Sequence, residues 1–274
     1  MVSLKDLGES LALVTGGSSG IGLATARSLA ARGCRIILLG RDQEKLEKAA
    51  SGIDGVIGTY VTDVSDKEAV SEVSKRIVKD HGVPNIIINS AGIVHPGPLS
   101  ELTTEQIDSI IDIDLKGTIY ICKTFSPLME PPGYIVNISS MAGIIGLFGY
   151  TAYSAAKFGV RGFSEALRME LNMRGIGVSV VFPPDTDTPQ LMGEDLSKPD
   201  ELKAISKTIR PIQPEKVARA VIGAIISEEF LVFPDAASKA TYHANRFAGA
   251  IVRKVLDGKV KGTSKEQERG DRAG

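Results

Sequence analysis

The chain has 274 residues, 43% of them hydrophobic, and a formal net charge of −1 at pH 7. This length suits one α/β domain with a large sheet, and the balanced charge excludes a global attraction to nucleic acid or to an anionic membrane. Neither a secretory signal nor a membrane-spanning run is evident, and Cys34 and Cys122 lie in apolar segments. His81, His95 and His243 lack metal-ligand spacing. We expect a cytoplasmic protein with reduced thiols and no metal.

Short apolar runs alternate with longer amphipathic segments, which is typical of βα units around a parallel sheet. The predicted strands are Leu11–Thr15, Arg35–Leu39, Gly55–Val61, Asn85–Asn89, Tyr134–Ile138, Val178–Phe182 and Phe230–Phe233. The predicted helices are 21–32, 43–50, 66–81, 103–128, 152–173 and 214–227. The fold class predicted is therefore α/β, a three-layer, doubly wound, seven-stranded parallel sheet (Rossmann fold). Its sites should lie beyond the carboxyl ends of the strands.

The chain shows no internal repeat and no linker that would divide the sheet, so residues 1–235 are predicted to form one catalytic domain. Within it, residues 185–214 interrupt the βα rhythm with prolines and predict an excursion over the site. Residues 236–256 predict a C-terminal amphipathic helix. The charged and small residues of 257–274 predict a disordered tail.

A glycine-rich segment, TGGSSGIG at 15–22, follows the first predicted strand and opens the first helix. Glycines let the backbone turn tightly against a pyrophosphate, and the helix N-terminus supplies free N–H groups and the positive end of a dipole. A glycine-rich turn alone is a weak signal, but its place between strand and helix strengthens it. The candidate cofactor residues here are Gly16, Ser18, Ser19, Gly20, Ile21 and Gly22.

The end of the second strand distinguishes the two nicotinamide dinucleotides. Gly40 stands where an acidic residue would bind the ribose 2′-OH of NAD, and Arg41 and Lys45 follow it. These basic residues favour the 2′-phosphate of NADPH, for which the small Ser18 leaves room. The alternative is that Arg41 is a solvated charge at a helix start. Asp42 is interpreted as the N-cap of that helix.

A candidate catalytic group combines Ser140, at the end of the fifth strand, with Tyr153 and Lys157. Positions i and i+4 share one helix face, so Lys157 would lie beside Tyr153. An adjacent ammonium favours the phenolate and lowers a pKa that is otherwise near 10, while Ser140 would hydrogen-bond the substrate oxygen. Tyr153 would then donate a proton as hydride reaches the carbonyl carbon. Taken alone, Tyr-x-x-x-Lys is common on amphipathic helices, and the combination with the glycine loop favours catalysis.

With these motifs in their order, residues 8–235 resemble the short-chain dehydrogenase/reductase family. The resemblance implies that Asp63, after the third strand, contacts the adenine and that Val64 beside it is a cofactor-binding residue. It also implies that Asn89, Ala91 and Gly92 line the cofactor pocket and that Lys157 holds the ribose of the nicotinamide. From the loop after the sixth strand, the implied cofactor residues are Pro183, Thr186 and Thr188. A homo-oligomer, dimer or tetramer, with contacts through 103–128 and 152–173, is implied as well.

Two positions depart from the family pattern. Pro183-Pro184 replaces the usual Pro-Gly after the sixth strand. Asp114 replaces the Asn that usually completes a proton relay, and Asp lacks the amide donor. Three interpretations stay open for Asp114: it pairs with Lys157 and weakens its effect on Tyr153, it accepts the relay water, or it bonds local backbone at a helix kink.

The string PPDTDT at 183–188 and the segment around Tyr153 resemble the 3-ketodihydrosphingosine reductase branch of the family. That resemblance implies NADPH-dependent reduction of a long-chain 3-keto sphingoid base to its 3-hydroxy product. The candidate substrate wall, which ordinary packing would explain equally well, is Val94, His95, Ile144, Ile145, Leu147, Phe148, Tyr150, Leu191 and Met192.

Two alternative functions stay open: a broad carbonyl reductase or alcohol dehydrogenase for hydrophobic ketones, steroids included, and a cofactor-bound, non-catalytic sensor or scaffold suggested by Asp114. The predicted helix 236–256 places Ala244, Phe247, Ala248, Ile251, Val252 and Val255 on one face, with basic residues around it. Such a helix either packs on the domain or a neighbouring subunit, or makes a peripheral membrane contact.

Overall fold

The structure is a computed structural model that describes residues 7, 8, 10–207 and 210–271, with side chains described up to residue 263. In this part of the chain, seven strands form one parallel sheet in the order β3-β2-β1-β4-β5-β6-β7. The strands are β1 (Leu11–Thr15), β2 (Arg35–Gly40), β3 (Val56–Val61), β4 (Ile86–Asn89), β5 (Gly133–Ile138), β6 (Ile176–Val181) and β7 (Leu231–Val232). The predicted fold class is confirmed, and each strand lies within two residues of its predicted bounds.

Helices cover both faces of the sheet. They are α1 (Gly20–Ala30), α2 (Gln43–Ser51), α3 (Lys67–His81), α4 (Thr104–Ile110), α5 (Thr118–Phe125), α6 (Thr151–Asn172), α7 (Pro189–Asp195), α8 (Asp200–Ser206), α9 (Pro214–Ser227) and α10 (Ala236–Asp271). Asp42 accepts a hydrogen bond from the backbone N–H of Lys45 at 3.1 Å, so the predicted N-cap of α2 is confirmed. None of the described helices has the length and apolarity that a bilayer crossing would need.

Two apolar cores lie on opposite faces of the sheet, because successive strand residues point to opposite sides. In β1, Val14 packs with Leu29 of α1 and Val221 of α9 on one face. Leu13 packs with Phe125 of α5 on the other. Strands buried on both faces explain the near-continuous apolar runs of the sequence. They also leave the carboxyl ends of the strands as the place where polar residues gather.

Three predicted elements differ in the structure. The single helix predicted over 103–128 contains a π-helical segment, Ile111–Gly117, between α4 and α5. The excursion 185–214 contains two short helices, α7 and α8, which the sequence analysis does not predict. The helix predicted over 236–256 has a kink at Ala248 and continues as α10 through Asp271, where we expected an irregular tail from residue 257. Residues 272–274 lie outside the described part.

Candidate active site

The polar and glycine-rich segments that follow the central strands meet along one edge of the sheet. Thr15, at the end of β1, accepts hydrogen bonds from the backbone N–H groups of Ser90 and Ala91 after β4, each at 3.1 Å. The backbone N–H of Met141, after β5, donates to the carbonyl of Pro183, after β6, at 3.0 Å. A single cleft results, with walls contributed by the segments after β1 to β6.

The glycine loop forms one end of this cleft. Gly16 and Gly20 have φ values of +63° and +52°, a conformation that side-chain-bearing residues rarely adopt. Ser19 precedes α1 in extended conformation, and its side chain makes no capping hydrogen bond. The first N–H groups of α1 therefore lack that internal partner and suit an anionic group. This loop fits the pyrophosphate of a dinucleotide.

Arg41 and Lys45 line the same cleft beyond the end of β2. The Arg41 guanidinium lies 3.8 Å from the Asp63 carboxylate, and the Lys45 ammonium lies 3.1 Å from that of Asp42. All four side chains are substantially exposed, so these ion pairs are weak and leave both cations accessible. The arrangement provides two cations where the ribose of a dinucleotide would extend from the glycine loop.

Close packing of α6 on the end of β5 brings the three candidate catalytic residues to the cleft wall. The Ser139 hydroxyl donates to the carbonyl of Lys157 at 2.9 Å, and the Lys157 ammonium donates to the carbonyl of Ile138 at 3.3 Å. A Cβ on Gly143 would come within 2.7 Å of that Lys157 carbonyl, so this approach requires glycine. Ser140, Tyr153 and Lys157 all face the cleft.

Asp114 lies behind this wall and pairs with Lys157. Its Oδ2 is 3.1 Å from Lys157 Nζ, and its Oδ1 accepts the backbone N–H of Ile93 at 2.7 Å. Burial raises the pKa of Asp114, while the charge of Lys157 and the N–H of Ile93 oppose that rise. Of the three interpretations, direct pairing with Lys157 is observed. Asp114 also lies in the π-helical segment and bonds a backbone N–H, that of Ile93, as the third interpretation expected.

The environment of Tyr153 keeps its phenol protonated. Burial raises its pKa well above 10, and the negative charges of Asp114, Glu194 and Asp185 raise it further. The Ser140 side chain acts in the opposite direction through hydrogen bonding. Lys157 Nζ lies 5.4 Å from the centroid of the Tyr153 ring. The predicted lowering of this pKa by Lys157 is therefore wrong, because burial dominates and the charge of Lys157 is shared with Asp114.

The helix α7 closes one side of the cleft. Thr188 caps α7, and a Cβ on Gly20 would meet the Thr188 side chain at 3.1 Å, so the loop after β6 lies against the glycine loop. Glu194 of α7 accepts a hydrogen bond from the Tyr150 hydroxyl at 2.5 Å. This bond connects α7 to the start of α6, close to Tyr153.

Most of the predicted site residues share the cleft. Those on its walls are Gly16, Ser18, Ser19, Gly20, Ile21, Arg41, Lys45, Asp63, Val64, Ala91, Gly92, Ser140, Tyr153, Lys157, Pro183, Thr186 and Thr188. Asn89 and Gly22 are not among its lining residues. The Asn89 amide turns into the core and donates to Asn137 Oδ1 at 2.8 Å, and Gly22 packs against the backbone of Gly16.

The predicted substrate wall is partly wrong. Tyr150 and Leu191 line the cleft, whereas Ile144 and Ile145 pack in an apolar cluster with Phe182 and Tyr242 and are not among the residues that line the cleft. The sequence interpretation missed Gln190 and Glu194, which line the cleft from α7. The signal that could have identified them is Thr188 followed by Pro189, which predicts a helix start beside the site and places both residues in that helix.

Comparison with known proteins places the chain in a family. The family model for short chain dehydrogenases matches residues 10–199. The 3-ketodihydrosphingosine reductase of Mus musculus is 37% identical over 228 residues, which covers 80% of this chain and 69% of the relative. The 3-dehydrosphinganine reductase of Danio rerio is 36% identical over 234 residues, with the same shares.

Solved structures agree in fold. The structure of levodione reductase has a TM-score of 0.78 at 26% identity and covers 86% of this chain and 99% of its own. A short chain dehydrogenase/reductase from Burkholderia phymatum, solved in complex with NAD, has a TM-score of 0.79 at 22% identity. The match covers 88% of this chain and 94% of the Burkholderia chain. From the family match, the identities and the architecture together, the chain belongs to the short-chain dehydrogenase family of oxidoreductases.

Proposed function

We propose that this protein reduces a long-chain 3-keto sphingoid base to its 3-hydroxy product with NADPH, using Tyr153 as the proton donor. The observation that carries the proposal is the placement of Ser140, Tyr153 and Lys157 on the cleft that also contains the glycine loop and Arg41. Phosphate-binding groups at one end and a protonated phenol toward the other match what ketone reduction by a dinucleotide requires.

A bound nicotinamide would supply the hydride, and the residues of the chain perform the remaining work. Ser140 and Tyr153 hold the carbonyl oxygen, and Tyr153 releases its proton to that oxygen. The ammonium of Lys157 stabilises the phenolate that remains and is placed to hold a ribose hydroxyl. Asp114 orients Lys157 from behind the wall. The buried position of this pair limits exchange with bulk water.

NADPH rather than NADH is supported by the residues after β2. Gly40 presents no carboxylate to a ribose 2′-OH, and the accessible cations of Arg41 and Lys45 suit a 2′-phosphate. Asp42 also lines the cleft, but its side chain is engaged with the backbone and ammonium of Lys45. A guanidinium binds a phosphate through two parallel hydrogen bonds, which makes Arg41 the stronger determinant.

The substrate class is supported by the relatives, which are named as reductases of 3-ketodihydrosphingosine and 3-dehydrosphinganine. Apolar residues of α7 add to that support. Leu191 lines the cleft, and Met192 and the C-cap Leu196 of the same helix are large apolar side chains exposed to solvent. An acyl chain leaving the cleft would bury such surface favourably.

We also propose a cytoplasmic homo-oligomer that binds membranes peripherally. Exposed apolar side chains in the predicted contact helices, Phe158 and Met169 of α6, support self-association. Phe247, Ile251 and Val255 of α10 are exposed beside Arg253 and Lys254, which supports contact with an anionic lipid surface. Light scattering of the purified protein measures the number of subunits, and a vesicle-binding assay measures the membrane contact.

The proposed function is tested by steady-state kinetics of the purified protein with NADPH or NADH and two ketones. One is a long-chain 2-amino-3-keto sphingoid base, and the other is a small hydrophobic ketone. We expect kcat/KM to be at least tenfold higher with NADPH and with the long-chain base. Equal rates with the small ketone would indicate a broad carbonyl reductase. Cofactor binding without oxidation by either ketone would indicate a sensor.

A further inference from the structure

We infer that Glu194 of α7 binds the ammonium group of an amino-ketone substrate, so that the site selects ketones carrying a cation next to the carbonyl. This inference rests on the proposed function, because a sphingoid base carries an amine on the carbon adjacent to its 3-keto group. It assigns specificity to a residue on α7, outside the Ser140, Tyr153 and Lys157 group.

Glu194 lies on the substrate side of the catalytic cleft. It lines the cleft together with Tyr153, and its Oε2 accepts the hydroxyl of Tyr150 at 2.5 Å. The rings of Tyr150 and Tyr153 have centroids 5.4 Å apart. Glu194 is also close enough for its charge to act on Tyr153, so a carbonyl group that receives a proton from Tyr153 would share this part of the cleft with Glu194. The amine of a 2-amino-3-keto compound is only two bonds from the carbonyl carbon, so it would lie in the same part of the cleft.

The carboxylate of Glu194 is half-buried and has no cationic partner within ion-pair distance among the residues that the structure describes. Its hydrogen-bond donors are neutral: the Tyr150 hydroxyl and, at 3.3 Å, the Gln190 amide. The nearby ammonium of Lys198 pairs instead with Asp195 at 2.8 Å and with Asp185 at 3.8 Å. Partly burying a carboxylate without a counter-ion costs free energy, and a cationic ligand would recover it.

An ammonium group matches this position chemically. A carboxylate has about four lone-pair sites, and the hydroxyl of Tyr150 and the amide of Gln190 use two of them, so an ammonium can bond Glu194 without displacing these neutral partners. The charge of Glu194 also raises the pKa of Tyr153. A bound cation would cancel that effect and make Tyr153 a better proton donor. An amino-ketone substrate would thus lower the pKa of Tyr153, which protonates it, and a ketone without the amine would not.

A purely structural role for Glu194 makes a different prediction. If the Tyr150–Glu194 hydrogen bond only holds α7 closed, then Y150F, which breaks the bond, should impair every ketone alike, and E194Q should not distinguish one ketone from the other. If Glu194 binds the ammonium, E194Q should impair only the amino ketone, whereas Y150F leaves the carboxylate in place. Gln keeps the size of Glu and retains an oxygen for the Tyr150 hydroxyl, so E194Q removes mainly the charge.

The test measures kcat and KM for wild type, E194Q, Y150F and the control E170Q, an exposed glutamate of α6 outside the cleft. The substrates are the long-chain amino ketone and the same chain with hydrogen in place of the amine. We expect E194Q to lower kcat/KM for the amino ketone about ten- to a hundredfold, chiefly through KM. With the des-amino ketone its kcat/KM should change less than threefold, and E170Q should match wild type with both.

Equal losses with both ketones, or no loss with the amino ketone, would overturn the inference. If the wild type reduces neither ketone, the proposed function fails, and calorimetry of the NADP⁺-loaded protein still tests the site. The probes are then the long-chain 2-amino-1,3-diol and the matched diol without the amine. A wild-type preference for the amino diol that E194Q removes supports the ammonium site, and equal binding of the two diols rejects it.

Discussion

The Nζ of Lys157 lies 3.1 Å from the Oδ2 of Asp114, and the two side chains are 6% and 0% exposed. The same Asp114 accepts the backbone N–H of Ile93 through its other oxygen. The pair therefore connects the catalytic helix α6 to the loop after β4 and to the π-helical segment. It also places a negative charge close enough to Tyr153 to raise the pKa of that phenol. Asp114 therefore stabilises the position of Lys157 and makes Tyr153 a weaker acid.

Replacing Asp114 with Asn separates these two effects. The amide keeps an oxygen for the Ile93 N–H, and it removes the charge that raises the pKa of Tyr153. Ketone reduction needs a protonated phenol, so activity is lost as pH rises through that pKa. We expect D114N to equal or exceed wild-type kcat at neutral pH, up to a few-fold, and to move the alkaline limb of the kcat profile to lower pH.

Two variants control this experiment. Asp112→Asn removes a carboxylate of the same segment that pairs with Lys116 at the surface, and we expect an unchanged profile. Asp114→Ala leaves the buried ammonium without its partner and should lower the free energy of unfolding by about 3–5 kcal/mol. Complete loss of turnover in D114N, with folding intact, would mean that the carboxylate itself is required.

Local sequence was sufficient for most of the fold. The apolar run Leu11–Val14 is followed by Thr15 and two glycines, and the observed β1 has the predicted bounds, Leu11–Thr15. The glycine loop and Ser140, Tyr153 and Lys157 were identified from spacing, because their geometry follows from a strand end and a helix turn. The signals are short-range, and the parallel sheet brings their carboxyl ends together without further information.

Non-local contacts account for what sequence reasoning missed. Pairing of Asp114 with Lys157 was one of three open interpretations, and the sequence could not select it because the pairing depends on the π-helical segment at Ile111–Gly117, which no local pattern predicts. Glu194 reaches the cleft because the segment after β6 is anchored at a bridge between Thr186 and Ile212. Asn89 turns into the core because Asn137 and Cys122 lie beside it.

Tyr153→Phe should abolish reduction while leaving cofactor binding intact. The variant keeps the ring and loses the proton that the carbonyl oxygen requires, so we expect kcat to fall about 10²- to 10⁴-fold. NADPH binding, followed by nicotinamide fluorescence, should change less than threefold. Tyr120→Phe on α5, outside the cleft lining, is the matched control. A Y153F protein with a tenth or more of wild-type activity would assign the proton to another group.

Arg41→Ala should weaken NADPH selectively. Its ion pair with Asp63 is exposed, so its removal should cost little stability. Loss of a charge-assisted contact to a 2′-phosphate should raise the Kd for NADPH about ten- to a hundredfold and change the Kd for NADH less than threefold. Lys48→Ala, an exposed cation on the same helix as Lys45, serves as control. Equal effects on both dinucleotides would mean that Arg41 is only a solvated surface charge.

The exposed apolar residues of α10 predict binding to lipid. Phe247, Ile251 and Val255 are 80%, 67% and 56% exposed, and burying them in a headgroup region is favourable. Replacing all three with serine should reduce co-sedimentation with anionic phosphatidylserine vesicles at least tenfold and leave kcat for a soluble ketone unchanged.

Because Arg253 and Lys254 add electrostatic attraction, wild-type binding should also weaken as salt rises. Met173→Ser, which removes an apolar side chain that is 90% exposed at the end of α6, should bind like wild type. If the triple variant binds vesicles as wild type does, α10 is better explained as a contact between subunits, and light scattering of the same variant then measures that contact.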